Sequence, residues 1–172
     1  MMWQPIALEL GLCGWIIAIL CGDLLTAPSA KHHLWKLAAL GLLAGMAVLW
    51  WQQAWIGRAF DLPAVPGAGQ AGAMFIFDGV AWYFKWIFLL TALIVVLMTR
   101  VFTRHLMERI GEFYLLICSA LLGMLVLASV NDLLLLFIGL ELLTFSLYVM
   151  AAYLKSDARS IEAGLKYLIL GS

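Results

Sequence analysis

Leu133–Tyr153 reads LLLLFIGLELLTFSLYVMAAY, and this stretch decides the fold. At a rise of about 1.5 Å per residue, a helix over this run is roughly 30 Å long, the thickness of a bilayer's hydrocarbon core. The run is Leu-rich and lacks the period-two alternation of a barrel strand, so it predicts a helix. One charge interrupts it. Glu141 lies roughly 12–14 Å from one end, and insertion scales put the cost of a mid-bilayer carboxylate on the order of 2.5–3.5 kcal/mol. A side chain that costly implies a partner or a task, and the first task to consider is ion or proton movement.

Outward from this run the chain repeats the pattern. Of 172 residues, 66% are hydrophobic and 12% charged, and mean hydropathy is +1.05. A soluble domain is about 45–50% apolar. Five complete apolar runs fall at about 4–25, 34–56, 79–99, 113–130 and 133–153, and a sixth begins near Ser160. The expectation is an all-α, polytopic transmembrane bundle, one membrane domain over 1–172, with five complete spans and the start of a sixth. Its surroundings are then the lipid bilayer. Formal net charge is zero, which leaves no electrostatic footprint for nucleic acid. Cys13, Cys21 and Cys118 lie in apolar runs without CxxC spacing and are expected to be buried, unpaired and inert.

No positive residue precedes the first run, and Lys31, His32, His33 and Lys36 follow it at once. That pattern argues against a cleaved signal peptide. Basic residues sort to one side. Lys31 and Lys36, then Arg100, Arg104 and Arg109, then Lys155 and Arg159 face Arg58 alone, seven against one. The positive-inside bias places the N-terminus outside. The longest connection, about Gly57–Phe77, carries Pro63, Pro66, Gly67, Gly69 and Gly72. It reads as an outer loop, short enough to cover neighbouring helices. Ile161–Ser172 crosses about half a bilayer, so the chain is expected to be a fragment, a truncated reading frame, or one part of a larger bundle.

Four charges fall inside the runs: Glu9, Lys85, Glu141 and Lys166. Glu9 sits near the outer end of the first helix, where headgroup water is the simpler reading. Lys85 lies about seven residues into the third helix, and two readings stay open: snorkelling along its stem, or a place in a polar pathway. Glu141 is too deep to snorkel. Of its same-face neighbours Phe137, Ile138, Thr144 and Phe145, only Thr144 offers a hydrogen bond. It is either a relay carboxylate, or an acid held permanently by one cation. Lys166 is a candidate cation, roughly 8 Å from Glu141 along the membrane normal, or else it snorkels to the inner face.

Other features are less specific. Gly41 and Gly45 make a small-xxx-small pattern that suggests close helix contact. Trp35, Trp50, Trp51 and Trp55 look like interfacial anchors. His32-His33 has no clustered partner, so a metal site is not expected there. No phosphate loop, nucleophile motif, haem motif or iron–sulfur pattern occurs.

The segments EFYLL, ASVNDLLLLFIGLELL, SLYV and EAGLKY, within Glu112–Tyr167, resemble subunit N of the proton-pumping NADH–quinone oxidoreductase, respiratory complex I. Phe77–Lys85 is similar to that family's Asp-Gly stretch followed by aromatics and Lys. The likeness runs from about Phe77 to the end; the first two helices fit by position and hydropathy. Gly139-Leu140-Glu141-Leu142-Leu143 favours subunit N over the related subunits M and L.

The resemblance implies an antiporter-like subunit in a bacterial inner membrane, in which Glu141 and Lys166 take part in proton transfer, with Lys85 a further possibility. Its partners would be other membrane subunits of complex I. No cofactor is implied in this chain, since NADH, FMN, iron–sulfur clusters and quinone belong to partner subunits. The family's chains run on through further helices and further lysines. Two rival readings are a subunit of a related cation/proton antiporter complex and a structural, inactive truncated product.

Overall fold

A computed structural model describes residues 4–25, 34–60, 74–102, 110–154 and 157–171, with side chains 58–60 and 101–102 left undescribed. The helices are α1 (Ala7–Leu25), α2 (Leu34–Gln52), α3 (Gly79–Phe102), α4 (Ile110–Leu127), α5 (Leu133–Ala151) and α6 (Ala158–Gly171). Short 3-10 turns, Gln4–Ile6 and Gln53–Trp55, extend α1 and α2. Among the described residues, five helices are long and apolar enough to cross a membrane. In hydrocarbon no water can satisfy a free backbone group, so a lone apolar segment must close its hydrogen bonds within itself, as a helix does. Lys31, Arg104, Arg109 and Lys155, half of the eight basic residues behind the expected orientation, lie outside the described residues, as do His32 and His33.

Helix starts are fixed by side chains. Asp132 adopts an extended backbone and its carboxylate accepts from the Leu134 and Leu135 amides at 2.8 and 3.2 Å. Asp78 accepts from the Ala81 amide at 2.7 Å at the head of α3. Each cap satisfies amides that a first helical turn leaves unpaired.

α4 is the central helix, half buried, and α5 is peripheral, 17% buried. α4 packs against α1, α2, α3 and α5 through Tyr114, Leu121 and Leu125, all fully buried. Its seam with α5 is made of small residues. The hydroxyls of Ser119 and Ser146 meet at 2.8 Å. Gly123 lies so close that an added Cβ would stand 2.8 Å from both the Gly139 carbonyl oxygen and the Leu143 amide nitrogen. Between α1 and α2, the Trp15 indole lies directly over Gly41 and donates to the Leu37 carbonyl at 3.0 Å. Gly45 admits Leu89 and Leu8. The small-residue pattern in the second helix thus marks close contact. α6 folds back on α5 through Gly164 against Ala152 and the edge-to-face pair Tyr148–Tyr167 at 5.0 Å.

Two expectations are corrected. The connection from Gly57 to Phe77 is not loop throughout. β1 (Arg58–Phe60) and β2 (Phe75–Phe77) pair antiparallel, with Arg58 opposite Phe77. Gly57, at φ +89°, turns the chain into this ribbon, a conformation that favours glycine. The α4–α5 turn supplies further backbone bonds: the Ile76 amide donates to Ser129 at 2.8 Å and the Asn131 amide to Met74 at 3.0 Å. Three-residue strands are too short to show a period, so only these partners reveal them. Pro63, Pro66, Gly67, Gly69 and Gly72 lie outside the described residues. The cysteines also divide: Cys118 is buried, while Cys13 and Cys21 are exposed, and all three are free. A uniformly apolar run does not say which of its faces meets another helix.

Gly123→Leu is expected to destabilise the bundle by about 1–3 kcal/mol through overpacking against backbone, whereas Gly14→Leu, with nothing within 4 Å of its added Cβ, is expected to be neutral. Unfolding of the purified protein in mixed micelles measures both.

Candidate functional site

At the ribbon end of the bundle α1 and α3 both begin, and both run the same way. The Asp78 cap sets the phase of α3, so that Ala81, Lys85, Leu89, Ala92 and Val96 form one buried stripe, as helical spacing requires. A lysine therefore occupies a core position. On α1 the buried positions are Leu8, Glu9, Leu12 and Ile19. Lys85 Nζ donates to Glu9 Oε1 at 2.6 Å, and the two side chains are 0% and 9% exposed.

The surroundings of this pair are apolar and aromatic. Lys85 Nζ stands 4.8 Å from the centre of the Phe75 ring and 4.7 Å from that of Phe77, within cation–π range. Both rings come from β2 and are buried. Glu9 Oε2 is buried and has no hydrogen-bond partner. Nearer the end of the bundle, the buried Gln52 amide donates to the Gln4 carbonyl at 2.6 Å, and the Trp82 indole donates to Leu49 at 3.3 Å.

Glu9 therefore does not reach headgroup water, and Lys85 does not snorkel. Each satisfies the other, because separating them would leave an unpaired ion in the core. The missed signal was depth. Glu9 lies five residues after Gln4 and Lys85 six after Gly79; opposite charges at matched depth on helices of like direction can meet.

Glu141 is placed differently. It lies on the exposed side of α5, between Phe137, Ile138 and Phe145, which are exposed too. Among the described residues its carboxylate has no hydrogen-bond or ion-pair partner. Thr144 donates back to the Leu140 and Glu141 carbonyls at 2.9 and 3.3 Å rather than to the carboxylate. Lys166 is also exposed and pairs with Glu162, one turn away on α6, at 2.6 Å. Glu141 and Lys166 form no ion pair in this structure. No three His, Cys, Asp or Glu side chains converge among the described residues. An apolar cavity of ≈ 490 Å³ at the opposite end, lined by Met98, Thr99, Phe113, Met150 and Tyr153 among others, contains no charged side chain.

Five bilayer-length helices among the described residues define a multi-pass α-helical integral membrane protein, and ionisable side chains set inside such spans are its first candidate functional groups. Residues 130–172 match the family model described as NADH:quinone oxidoreductase/Mrp antiporter, TM. The chain is 39% identical over 157 residues to NADH-quinone oxidoreductase subunit N 2 of Solibacter usitatus, covering 90% of this chain and 31% of that one. It is 44% identical over 99 residues to subunit N of Desulfitobacterium hafniense, covering 58% and 20%. Subunit N 1 of Koribacter versatilis is 39% identical over 165 residues, covering 94% and 31%.

The chain belongs to the family of NADH-quinone oxidoreductase subunit N, as an integral protein of the bacterial inner membrane. It spans 20–31% of the length of these relatives.

Lys85→Met alone is expected to destabilise the bundle by about 3–5 kcal/mol, because it strands a buried carboxylate. Glu9→Gln with Lys85→Met is expected to recover most of that loss. Denaturation of the single and double variants in micelles, compared as a cycle, measures the difference.

Proposed function

We propose that this chain contributes to proton translocation in a NADH-quinone oxidoreductase, coupled to electron transfer from NADH to quinone. The observation that carries this reading is Glu141, a carboxylate in the middle of a bilayer-length helix, exposed and without a partner among the described residues. Leaving it in lipid is expensive, so another protein surface covers it and supplies a positive group or water. A cation that approaches the carboxylate favours its charged form, and one that withdraws favours the proton-bound form. Movement of one charge in this medium thereby moves a proton at the next site.

Lys166 is the second member of the relay. Its present partner Glu162 lies on its own helix and is exposed, so the ammonium is free to exchange that partner for another acceptor. Lys85 is the third candidate, held at the ribbon end. The N-terminus and the ribbon face outward, as the basic residues suggest. NADH, FMN, iron–sulfur clusters and quinone are assigned to other subunits of the complex, which are this chain's partners together with lipid.

A second reading, a subunit of a cation/proton antiporter complex, is favoured by one observation: the matching family model is described for both kinds of protein. Sodium-driven proton exchange in membranes lacking NADH oxidation would single it out.

Glu141→Gln is expected to assemble normally and to lower NADH-driven proton uptake into inverted membrane vesicles by tenfold or more, on the order of a 1.4 kcal/mol penalty or greater. Wild-type uptake by a correctly assembled Glu141→Gln complex sinks the relay role.

A further inference from the structure

The relay proposed above is built on α5 and α6, yet the only buried charges among the described residues that face each other lie on α1 and α3. Packing alone gives little reason for them. Their stripe neighbours are Leu8, Leu12, Ala81 and Leu89, and a buried ion pair is commonly no more stabilising than apolar side chains of the same volume.

The pair is also incompletely used. An ammonium has three donors and a carboxylate has two acceptor oxygens. One donor and Oε1 are joined at 2.6 Å, while Oε2 is buried and unbonded. A buried carboxylate oxygen without a protein donor can itself carry a proton.

The enclosure has a defined lid. Phe75 and Phe77 stand over the ammonium, and their strand is bonded through Ile76 and Met74 to the α4–α5 turn. That turn leads directly into Asp132, the cap of the helix that carries Glu141. A shift of β2 would thus move both rings off the Lys85 ammonium and pull on the start of α5. Other charged groups on the packed helices, Asp23 on α1, Lys36 on α2, Arg100 on α3 and Glu112 on α4, belong to the opposite end. Asp78 and Asp132 are engaged as helix caps.

We propose that Glu9 and Lys85 form a second proton-holding site, closed by Phe75 and Phe77. In its loaded form an O–H bond forms at Glu9 Oε2, with the proton taken from water at the ribbon end, while Lys85 stays an ammonium bonded to Oε1. Unloading returns that proton to water; no electron moves. The inference rests on the proton-translocation reading and adds to it a site remote from Glu141.

The test compares two variants with wild type in the assembled complex in native membranes, each read for assembly, NADH oxidation and protons moved per NADH. Glu9→Gln/Lys85→Met removes both buried charges together and is expected to assemble and oxidise NADH, with protons per NADH at least twofold lower. Full proton yield in that double variant, with Glu141→Gln blocked, overturns the proposal and leaves the pair a structural pin. Full yield in Glu141→Gln as well overturns the translocation reading itself.

Should the double variant not assemble, Glu9→Asp decides the matter, because it keeps the charge and the partner. Turnover-induced infrared difference spectra are expected to contain a carboxyl C=O band that moves in Glu9→Asp. Spectra identical to wild type overturn the proposal.

Discussion

An ion surrounded by hydrocarbon must be matched by protein, because no water is there to do it. The described residues meet that requirement at the ribbon end and leave it open on α5. Glu9 and Lys85 satisfy one another inside the bundle, under two aromatic rings. Glu141 lies on an exposed face with no protein donor among the described residues. The first arrangement closes the molecule around its charges. The second leaves the Glu141 face of α5 open among the described residues, and the proposed function requires a partner there.

The same absence of water governs how the helices meet. Lipid is as apolar as leucine, so close backbone approach and hydrogen bonds between helices replace the hydrophobic drive. Gly123 against Gly139, Ser119 against Ser146, and Trp15 over Gly41 are all solutions of this kind. The ribbon extends the principle to irregular backbone at the membrane's edge, where β2 and the α4–α5 turn complete each other's hydrogen bonds. It also ties the closed charge pair to the helix that carries the open one.

Much of this was legible in the residues. Leu-rich runs of bilayer length give the helices, and Glu141, Lys166 and Lys85 stand out as charges in apolar stretches. The small residues Gly41 and Gly45 announce close contact. Direction was not legible. α5 is apolar around its whole circumference, so nothing in its sequence says that Glu141 faces outward. Nor does spacing reveal that Lys166 pairs with its own helix at Glu162. The Glu9–Lys85 bond joins residues 76 apart, and its logic appears only when α1 and α3 are set side by side at equal depth. The ribbon was hidden because its strands are three residues long and borrow partners from a distant turn.

The most direct measurement is a cryo-electron-microscopy map of the assembly extracted from native membranes, read at Glu141. The account expects protein against the exposed face of α5, with a lysine or arginine nitrogen or an ordered water within hydrogen-bonding reach of the carboxylate. Lipid acyl chains packed directly on Glu141, with neither a cation nor water beside it, would contradict it.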